Sequence, residues 1–188
     1  MINIEAISKC NLIKDPFEHL LIDFIDKEYV KNIYKEYIKN LERFNVCEYT
    51  NIVSVSEHPV KPLCKKYEKQ ILFKINELWD LNVVSIDMGI TMFDKNSELD
   101  THNDYNYDGN FSIPVRGILY LNDEKVFGTK LHRSENDLGF EVGGFPGQLL
   151  LFKVSENSWH SAGIDTSKDE RIVCNWIVNN EYSNYERA

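Results

Sequence analysis

Two histidines, an aspartate and an arginine in the second half of the chain have the types and order of a metal site with an anion-binding residue. His102 and Asp104 are separated by one residue, His160 follows after a long gap, and Arg171 comes eleven positions later. Successive side chains of a strand point to opposite faces, so His102 and Asp104 project the same way if their segment is extended. The spacing therefore predicts that these two residues bind one metal ion.

A third ligand is expected from His160, because this histidine begins a separate predicted strand. Two imidazoles and one carboxylate on one face of an ion leave the other coordination positions open. That arrangement suits non-haem Fe(II), which must admit a cosubstrate and oxygen. A structural zinc site would instead close its coordination sphere.

Arg171 lies in an otherwise apolar predicted strand, where a guanidinium is costly to bury unless an anion pairs with it. Its planar fork matches a carboxylate in bidentate fashion. A buried arginine near an iron site indicates a dicarboxylate cosubstrate. Tyr120, on the predicted strand face that also carries Arg116 and Ile118, could donate a second hydrogen bond to the same carboxylate.

The first half of the chain holds the elements expected to support this site. Residues 1–15 show no clear period and are expected to form a cover strand or a loose arm. A short strand is predicted over His19–Ile25, after which Asp26 stands at a helix N-cap position. Apolar residues then continue at helical spacing to Leu41, which predicts an amphipathic helix.

A second helix is predicted after an irregular passage. Residues 42–61 are mixed in character and contain a proline, which predicts a loop. Pro62 can serve as the first residue of a helix, and an apolar stripe follows to Trp79. Both helices are interpreted as packing elements.

The second half of the chain has the two-residue period of strands. Val84–Met92 alternates apolar and polar residues, which predicts a long half-buried strand. The further predicted strands are Val115–Leu121, Thr129–Arg133, Gln148–Val154, Trp159–Gly163 and Glu170–Val178. Helices followed by many short strands predict one α+β domain over 1–188, in which 1–82 packs against a sandwich or small barrel over 83–180.

The composition is that of a globular protein and argues against two classes of partner. The 188 residues are 43% hydrophobic and carry a formal net charge of -9. That charge disfavours nucleic acid, whose phosphates are neutralised by Lys and Arg. No apolar run approaches the roughly 20 residues that span a bilayer, and residues 1–11 lack a basic segment followed by an apolar core. We therefore expect no nucleic-acid and no membrane partner.

The remaining candidate groups are expected to be structural. Four cysteines (Cys10, Cys47, Cys64 and Cys174) form no C-x-x-C pair, which predicts free thiols in a reducing cytoplasm, with Cys174 buried as a small hydrophobe. Three histidines (His19, His58 and His132) lack matching partners, and His132 is expected to be a surface or packing residue. The acidic stretch Asp94–Asp108 is interpreted as a solvated loop, although it could attract a cationic substrate.

Five segments carry a resemblance to a known family. In chain order they are LDTHNDY, RGILYLND, FGTKLH, GQLLLFKVSENSWHSAG and ERIVCNWIV. Together they resemble the prolyl-hydroxylase-like branch of the 2-oxoglutarate and Fe(II)-dependent oxygenase superfamily over residues 83–180. The opening PFEHLLIDFIDKEYV also resembles the family's N-terminal strand and helix.

The resemblance implies a fold, a metal and a cosubstrate site. The fold is a double-stranded β-helix of jelly-roll or cupin-like type with supporting N-terminal helices. The implied iron ligands are His102, Asp104 and His160, and the implied salt-bridge partner of 2-oxoglutarate is Arg171. The residues further implied to contact or line the cosubstrate pocket are Tyr120, Leu131 and Asn175.

Two positions depart from the family pattern. Val173 stands where many relatives have a serine or threonine, and Met92 stands where some prolyl hydroxylases have a tyrosine that contacts the cosubstrate. These departures leave the iron ligands in place. They leave the exact 2-oxoglutarate contacts, and any preference for prolyl substrates, open.

The expected activity is hydroxylation of an organic substrate, coupled to decarboxylation of 2-oxoglutarate to succinate and carbon dioxide. Fe(II), 2-oxoglutarate and O2 are the expected cofactors and cosubstrates, with ascorbate as an optional reductant. Asp104 argues against a halogenase, which needs that coordination position for halide. A protein side chain, an amino acid, a sugar and a small metabolite all stay open as substrates, and so does the oligomeric state.

A non-catalytic cupin-like or β-sandwich module, binding a structural metal or a ligand, is the rival interpretation. It explains the histidine and aspartate ligands. It gives no reason for Arg171 and Tyr120 to face the same cavity.

Overall fold

The structure, a computed structural model, describes residues 2–36, 46–47, 52–55, 60–94, 97–105, 113–163 and 170–180. The helices of these residues are α1 (Glu5–Lys9), α2 (Lys27–Glu36), α3 (Val60–Lys66) and α4 (Glu68–Trp79). Within the described ranges, none of the helices has the length and apolarity that crossing a membrane requires.

Two antiparallel sheets make up the rest of the described chain. The strands of the larger sheet are β1 (His19–Asp23), β2 (Val46–Cys47), β3 (Ile52–Val55), β4 (Ser85–Asp94), β6 (Val115–Tyr120), β9 (Gln148–Lys153) and β11 (Glu170–Asn179). The strands of the smaller sheet are β5 (Leu99–His102), β7 (Thr129–Leu131), β8 (Phe140–Val142) and β10 (His160–Ala162). The larger sheet has the order β1-β9-β6-β11-β4-β3-β2, and the smaller has the order β5-β10-β7-β8.

The larger sheet is buried on both faces because its central strands carry apolar residues at successive positions. On β11, Cys174 and Trp176 belong to a core shared with the helices, whereas Val173 belongs to a second core shared with the smaller sheet. On β9, Leu149 and Leu150 divide between the two cores in the same way. The described residues therefore form a helical layer, the larger sheet and the smaller sheet in that order, with a cavity between the two sheets.

The predicted start of the first helix is confirmed. The Asp26 side chain accepts a hydrogen bond from the backbone N–H of Tyr29 at 3.1 Å, which satisfies one of the free donors at the start of α2. The described part of this helix ends at Glu36, so its predicted continuation to Leu41 lies outside the described residues.

The predicted second helix is two helices. It begins at Val60 rather than at Pro62, because a proline within the first turn loses no intrahelical hydrogen bond. The chain then turns at Tyr67 before α4 begins. The helix α4 ends where Asp80 adopts a left-handed backbone with φ of 50°.

Several short elements differ from the sequence-based expectations. The helix α1 replaces the expected cover strand or loose arm, and β2 and β3 lie within the expected loop 42–61. The strand β3 is rich in β-branched residues but only four residues long, and it pairs with β4. The strand β8 was not predicted either, and it pairs with β7 over three residues. The remaining predicted strands agree with the structure to within one or two residues at each end.

Candidate metal and cosubstrate site

The two histidines of the site are cross-strand neighbours in the smaller sheet. His102 at the end of β5 pairs directly with His160 at the start of β10. Directly paired residues of antiparallel strands project to the same face. The two ring centroids are accordingly 4.3 Å apart.

Asp104 reaches the histidines by a route that differs from the prediction. The strand β5 ends at His102, so Asp104 lies in the following coil and not in an extended strand. The side chain of Asn103 holds this coil, because its oxygen accepts a hydrogen bond from the Tyr105 N–H at 3.2 Å and its amide donates to the Glu156 carbonyl at 3.2 Å. A turn of this kind places Asp104 beside the histidines without help from strand alternation.

Both imidazoles are oriented with the same nitrogen toward Asp104. The Nδ1 atom of His102 lies 2.7 Å from the Asp100 carbonyl, and that of His160 lies 3.0 Å from the Ser158 carbonyl. A carbonyl only accepts hydrogen bonds, so each Nδ1 carries a proton, and the metal-binding form of each ring presents the lone pair of Nε2. Nε2 of His102 is 3.9 Å and Nε2 of His160 is 3.5 Å from a carboxylate oxygen of Asp104.

This donor set fits a divalent transition metal. The candidate ligand atoms of His102, Asp104 and His160 all lie within 4.8 Å of one another. The structure thus brings the three predicted ligands together. Two neutral imidazoles and one carboxylate are the ligand types that Fe(II) accepts with coordination positions left open.

The protonation states suit metal binding. Burial lowers the pKa of His160 to about 4, so its imidazole is neutral near pH 7. For Asp104, burial acts to raise the pKa, but the charge and hydrogen bonds of Arg116, with smaller contributions from both imidazoles, hold it below its usual value. The carboxylate is therefore ionised.

Arg116 is a site residue that the sequence reasoning missed. Its Nε donates to Asp104 Oδ2 at 2.7 Å, and its Nη2 donates to Oδ1 at 3.4 Å. The strand face shared by Arg116, Ile118 and Tyr120 was visible in the sequence. What the sequence could not show is that the coil carrying Asp104 folds back across β6.

A cavity of about 190 Å³ lies between the sheets and holds the predicted anion-binding arginine. Its lining comprises Thr91, Phe93, Leu99, His102, Arg116, Ile118, Thr129, His160, Ala162, Arg171, Val173 and Asn175. Arg171 is only 1% exposed, and its guanidinium carbon lies 4.8 Å from the Phe93 ring centroid and 5.6 Å from that of Tyr120. Among the described residues, no carboxylate forms an ion pair with Arg171.

The Arg171 guanidinium is surrounded by polar groups among the described residues, and the attraction of the Glu141 carboxylate makes only a small contribution. Its Nε donates to the Phe127 carbonyl and its Nη2 donates to the Thr129 hydroxyl, each at 3.1 Å. Burial lowers the pKa of Arg171, which reflects the cost of an enclosed cation. A carboxylate entering the cavity would remove that cost and take up the remaining donors.

Thr129 is a second residue that the sequence reasoning missed. The Tyr120 hydroxyl lies 2.9 Å from the Thr129 hydroxyl and 3.2 Å from the Val142 carbonyl. Thr129 therefore links Tyr120 to Arg171 and faces the cavity itself. A strand of three residues beginning with a threonine carries too little signal to single this residue out.

The structure places only some of the other predicted pocket residues in the lining of the cavity. Asn175 lines the cavity and donates to the Thr91 hydroxyl at 2.6 Å. Leu131 is fully buried in the second core, paired with His160, and is not among the cavity-lining residues. Met92 faces the helices instead of the cavity, whereas Val173 lines the cavity. Cosubstrate contacts by Tyr120, Leu131 and Asn175 stay predictions.

The histidines expected to be structural, where described, are buried. His132 has Nδ1 2.7 Å from the Asp137 carbonyl and Nε2 2.8 Å from the Ser161 hydroxyl, which confirms a packing role. His19 has Nδ1 2.9 Å from the Phe17 carbonyl. His58 lies outside the described residues, as do positions 95–96 and 106–112.

No protein-family model and no curated protein matches the sequence. Solved structures do match the fold. A prolyl-4-hydroxylase of Pseudomonas putida has a TM-score of 0.66 at 12% identity, covering 95% of this chain and 97% of the other. A collagen prolyl hydroxylase of Paramecium Bursaria Chlorella virus-1, in complex with 2-oxoglutarate, has a TM-score of 0.61 at 13% identity. This match covers 87% of this chain and 96% of the other.

A third solved structure is a prolyl hydroxylase of Trichoplax adhaerens bound to a peptide of hypoxia-inducible factor. It has a TM-score of 0.62 at 16% identity and covers 86% of this chain and 83% of the other. This protein therefore has the fold of the prolyl-hydroxylase-like branch of the 2-oxoglutarate and Fe(II)-dependent oxygenases.

Proposed function

We propose that this protein is an Fe(II)- and 2-oxoglutarate-dependent dioxygenase that hydroxylates an organic substrate and releases succinate and carbon dioxide. One observation carries the proposal. His102 and His160 line the same cavity as the buried guanidinium of Arg171, and the candidate ligand atoms of the two histidines and Asp104 lie within 4.8 Å of one another. Arg171 has no carboxylate ion-pair partner among the described residues.

Each of these groups has a role in the proposed reaction. His102, Asp104 and His160 hold the iron through Nε2, a carboxylate oxygen and Nε2. Arg171 binds the far carboxylate of 2-oxoglutarate, and Thr129 supports that guanidinium. When bound, iron with 2-oxoglutarate and oxygen supplies the oxidising power that inserts one oxygen atom into a substrate C–H bond.

The cavity walls combine polar and apolar side chains. Phe93, Ile118 and Val173 supply apolar side chains to the lining. Burial of Arg171 strengthens its pairing with a carboxylate, since the local dielectric is low. Holding the cosubstrate at both ends reduces the orientations open to it, which favours the productive one.

The two antiparallel sheets support a more specific description of the fold, a double-stranded β-helix of jelly-roll type. The substrate class stays open at this level. The Trichoplax structure holds a peptide, so a peptide or a small molecule is in keeping with the fold. The rival, a non-catalytic metal-binding module, leaves the buried Arg171 without a role.

The test is turnover of labelled 2-oxoglutarate by purified protein with Fe(II) and ascorbate, with and without candidate substrates. We expect labelled carbon dioxide and succinate from the wild type. The His160→Ala variant removes one ligand and should lower turnover at least ~100-fold. The variant His132→Asn, altered at a packing histidine beside β10, is the matched control. Wild-type turnover no higher than that of His160→Ala would contradict the proposal.

A further inference from the structure

A second guanidinium enters the cavity at the end away from Arg171. Arg116 pairs with Ile177 across β6 and β11, and Ile177 is six residues along β11 from Arg171. At about 3.3 Å per residue the two arginine backbones are ~20 Å apart. Both side chains nevertheless line one cavity, so each guanidinium serves a different part of it.

The two arginines differ in what surrounds them. Arg171 is fully enclosed and lies between aromatic rings, whereas the Arg116 side chain is 23% exposed and lies against the candidate ligand Asp104. Arg116 uses Nε and Nη2 for Asp104. A guanidinium has five N–H donors, so Nη1 stays available to a ligand in the cavity.

With the metal ion and 2-oxoglutarate of the proposed function bound, the charged groups of the site do not sum to zero. The described lining, together with Asp104, carries two guanidiniums and one carboxylate. A divalent ion and a doubly ionised 2-oxoglutarate neutralise each other, which leaves one positive charge. Arg171 is matched by the far carboxylate of the cosubstrate, whereas Arg116 and the metal ion would share the single carboxylate of Asp104, so the remaining positive charge lies on the Arg116 side of the cavity. The exposed acidic residues Glu98 and Asp100 do not line the cavity.

We infer that the substrate is a small carboxylic acid whose carboxylate is held by Arg116 beside the metal ligands. This inference rests on the proposed function. One residual positive charge matches a carboxylate better than a phosphate ester, which carries about 1.5 to 2 negative charges near neutral pH. The size of the cavity and the net charge of -9 both favour a small acid over an acidic polypeptide.

Arg116 is thus a specificity-determining residue with two bonding partners. Its contact with Asp104 fixes the orientation of that carboxylate. Its outer donors would hold the substrate carboxylate beside the residues that would hold the metal. The register of β6 against β11 sets this spacing, because it places Arg116 at the opposite end of the cavity from the cosubstrate anchor.

The test measures binding to protein saturated with Mn(II) and 2-oxoglutarate. The probes are short-chain carboxylic acids and amino acids, each compared with its own primary amide, which has the same shape without the charge. Paramagnetic Mn(II) broadens the proton signals of a probe held near the metal. We expect at least one acid to be broadened and to bind ~10-fold or more tightly than its amide.

Three variants separate the roles. Arg116→Gln should abolish the preference for the acid over the amide, and Arg116→Lys, which keeps the charge without the fork, should retain part of it. Arg133→Gln changes a surface arginine that is paired with Asp15 and should leave the preference unchanged. Mn(II) affinity and thermal unfolding are measured for every variant, so that loss of metal or of fold is recognised directly.

The outcomes that overturn the inference are distinct. If 2-oxoglutarate binds but no acid is broadened, or amides bind as tightly as acids, the inference is wrong and the proposed function stands. The same holds if Arg116→Gln keeps the full preference. If 2-oxoglutarate itself does not bind, the proposed function fails and takes the inference with it.

Discussion

The hydroxyl of Thr129 joins the two groups expected to hold the cosubstrate. It lies within hydrogen-bonding distance of both the Tyr120 hydroxyl and Arg171 Nη2, and all three side chains are buried. A buried donor that loses its acceptor costs roughly 1–3 kcal/mol. Thr129 is therefore a sensitive position for both stability and cosubstrate binding.

Replacing Thr129 by valine keeps the shape and removes the hydroxyl. We expect Thr129→Val to lower the free energy of unfolding by about 1–3 kcal/mol and to weaken 2-oxoglutarate binding, because Arg171 loses a partner that fixes its fork. Urea denaturation and calorimetric titration measure the two effects. The control is Thr101→Val, next to a ligand but without a role in this network. Equal behaviour of the two variants would exclude the network as a support for Arg171.

The pH dependence of the metal-free protein should reveal the buried His160. Its folded-state pKa of about 4 lies below the ordinary value of 6.5. The unfolded chain therefore takes up this proton first as the pH falls. The contribution of His160 to the free energy of unfolding is therefore complete above about pH 6.5. It declines by roughly 3 kcal/mol as the pH falls to 4.

His160→Asn removes this titrating group and should flatten the decline. His19 contributes in the same direction, because burial lowers its pKa as well, so some slope remains in the variant. Chemical denaturation at several pH values measures the difference. Identical slopes for wild type and His160→Asn would show that folding does not lower the pKa of His160.

At the scale of single residues, the sequence predicted groups whose chemistry is unusual for their place. His102 stood out by its spacing from Asp104, and His160 stood out as the start of another predicted strand. Arg171 stood out because a guanidinium in an apolar strand needs a partner. Arg116 and Thr129 did not stand out. A threonine in a strand is ordinary, and the partner of Arg116 reaches it through a coil whose path is set by the Asn103 side chain.

At the scale of elements, the turn after β8 places Tyr120. Gly143 has a φ of +76°, and a Cβ built there would lie 2.5 Å from Tyr120 Cε2 and 2.8 Å from the hydroxyl oxygen. Glycine is needed for two reasons, since other residues are strained at this φ and have no room. The close approach holds the Tyr120 ring against the turn.

Gly143→Ala should push the Tyr120 ring away from Thr129. The left-handed backbone alone costs about 1–2 kcal/mol, and the displaced ring adds to this and weakens 2-oxoglutarate binding. Gly163→Ala is the matched control, because a Cβ there meets no atom within 4 Å. Thermal unfolding and cosubstrate titration of both variants give the comparison. A Gly143→Ala protein with wild-type stability and affinity would contradict the role assigned to this turn.

Elements were predictable where the chain supplies its own period. The strands β4 and β11 are ten residues each and pair with each other throughout, and their alternation is evident in the sequence. The strands β3 and β8 are only four and three residues long and pair with a neighbour, so each is too short for a period of its own to show in the sequence. The break at Tyr67 was missed for a related reason, since the apolar stripe continues on both sides of it.

At the scale of the molecule, the larger apolar core and the candidate site lie on opposite faces of the larger sheet. The helices cover one face of the larger sheet and form the first core with it. The smaller sheet covers the other face, where an interrupted core leaves room for polar side chains. The layer order explains how a strand such as β11 can carry Arg171 on one face and a continuous apolar row on the other.

The central claim is that the metal site and Arg171 bind one cosubstrate together. The most direct test is an anaerobic calorimetric titration of 2-oxoglutarate into Fe(II)-loaded protein, repeated without metal and with the variant Arg171→Lys. We predict one molecule bound per chain, a clear loss of affinity without Fe(II), and a further loss of at least ~10-fold in the variant. Tight binding of zinc with no response to 2-oxoglutarate under any of these conditions would contradict the claim.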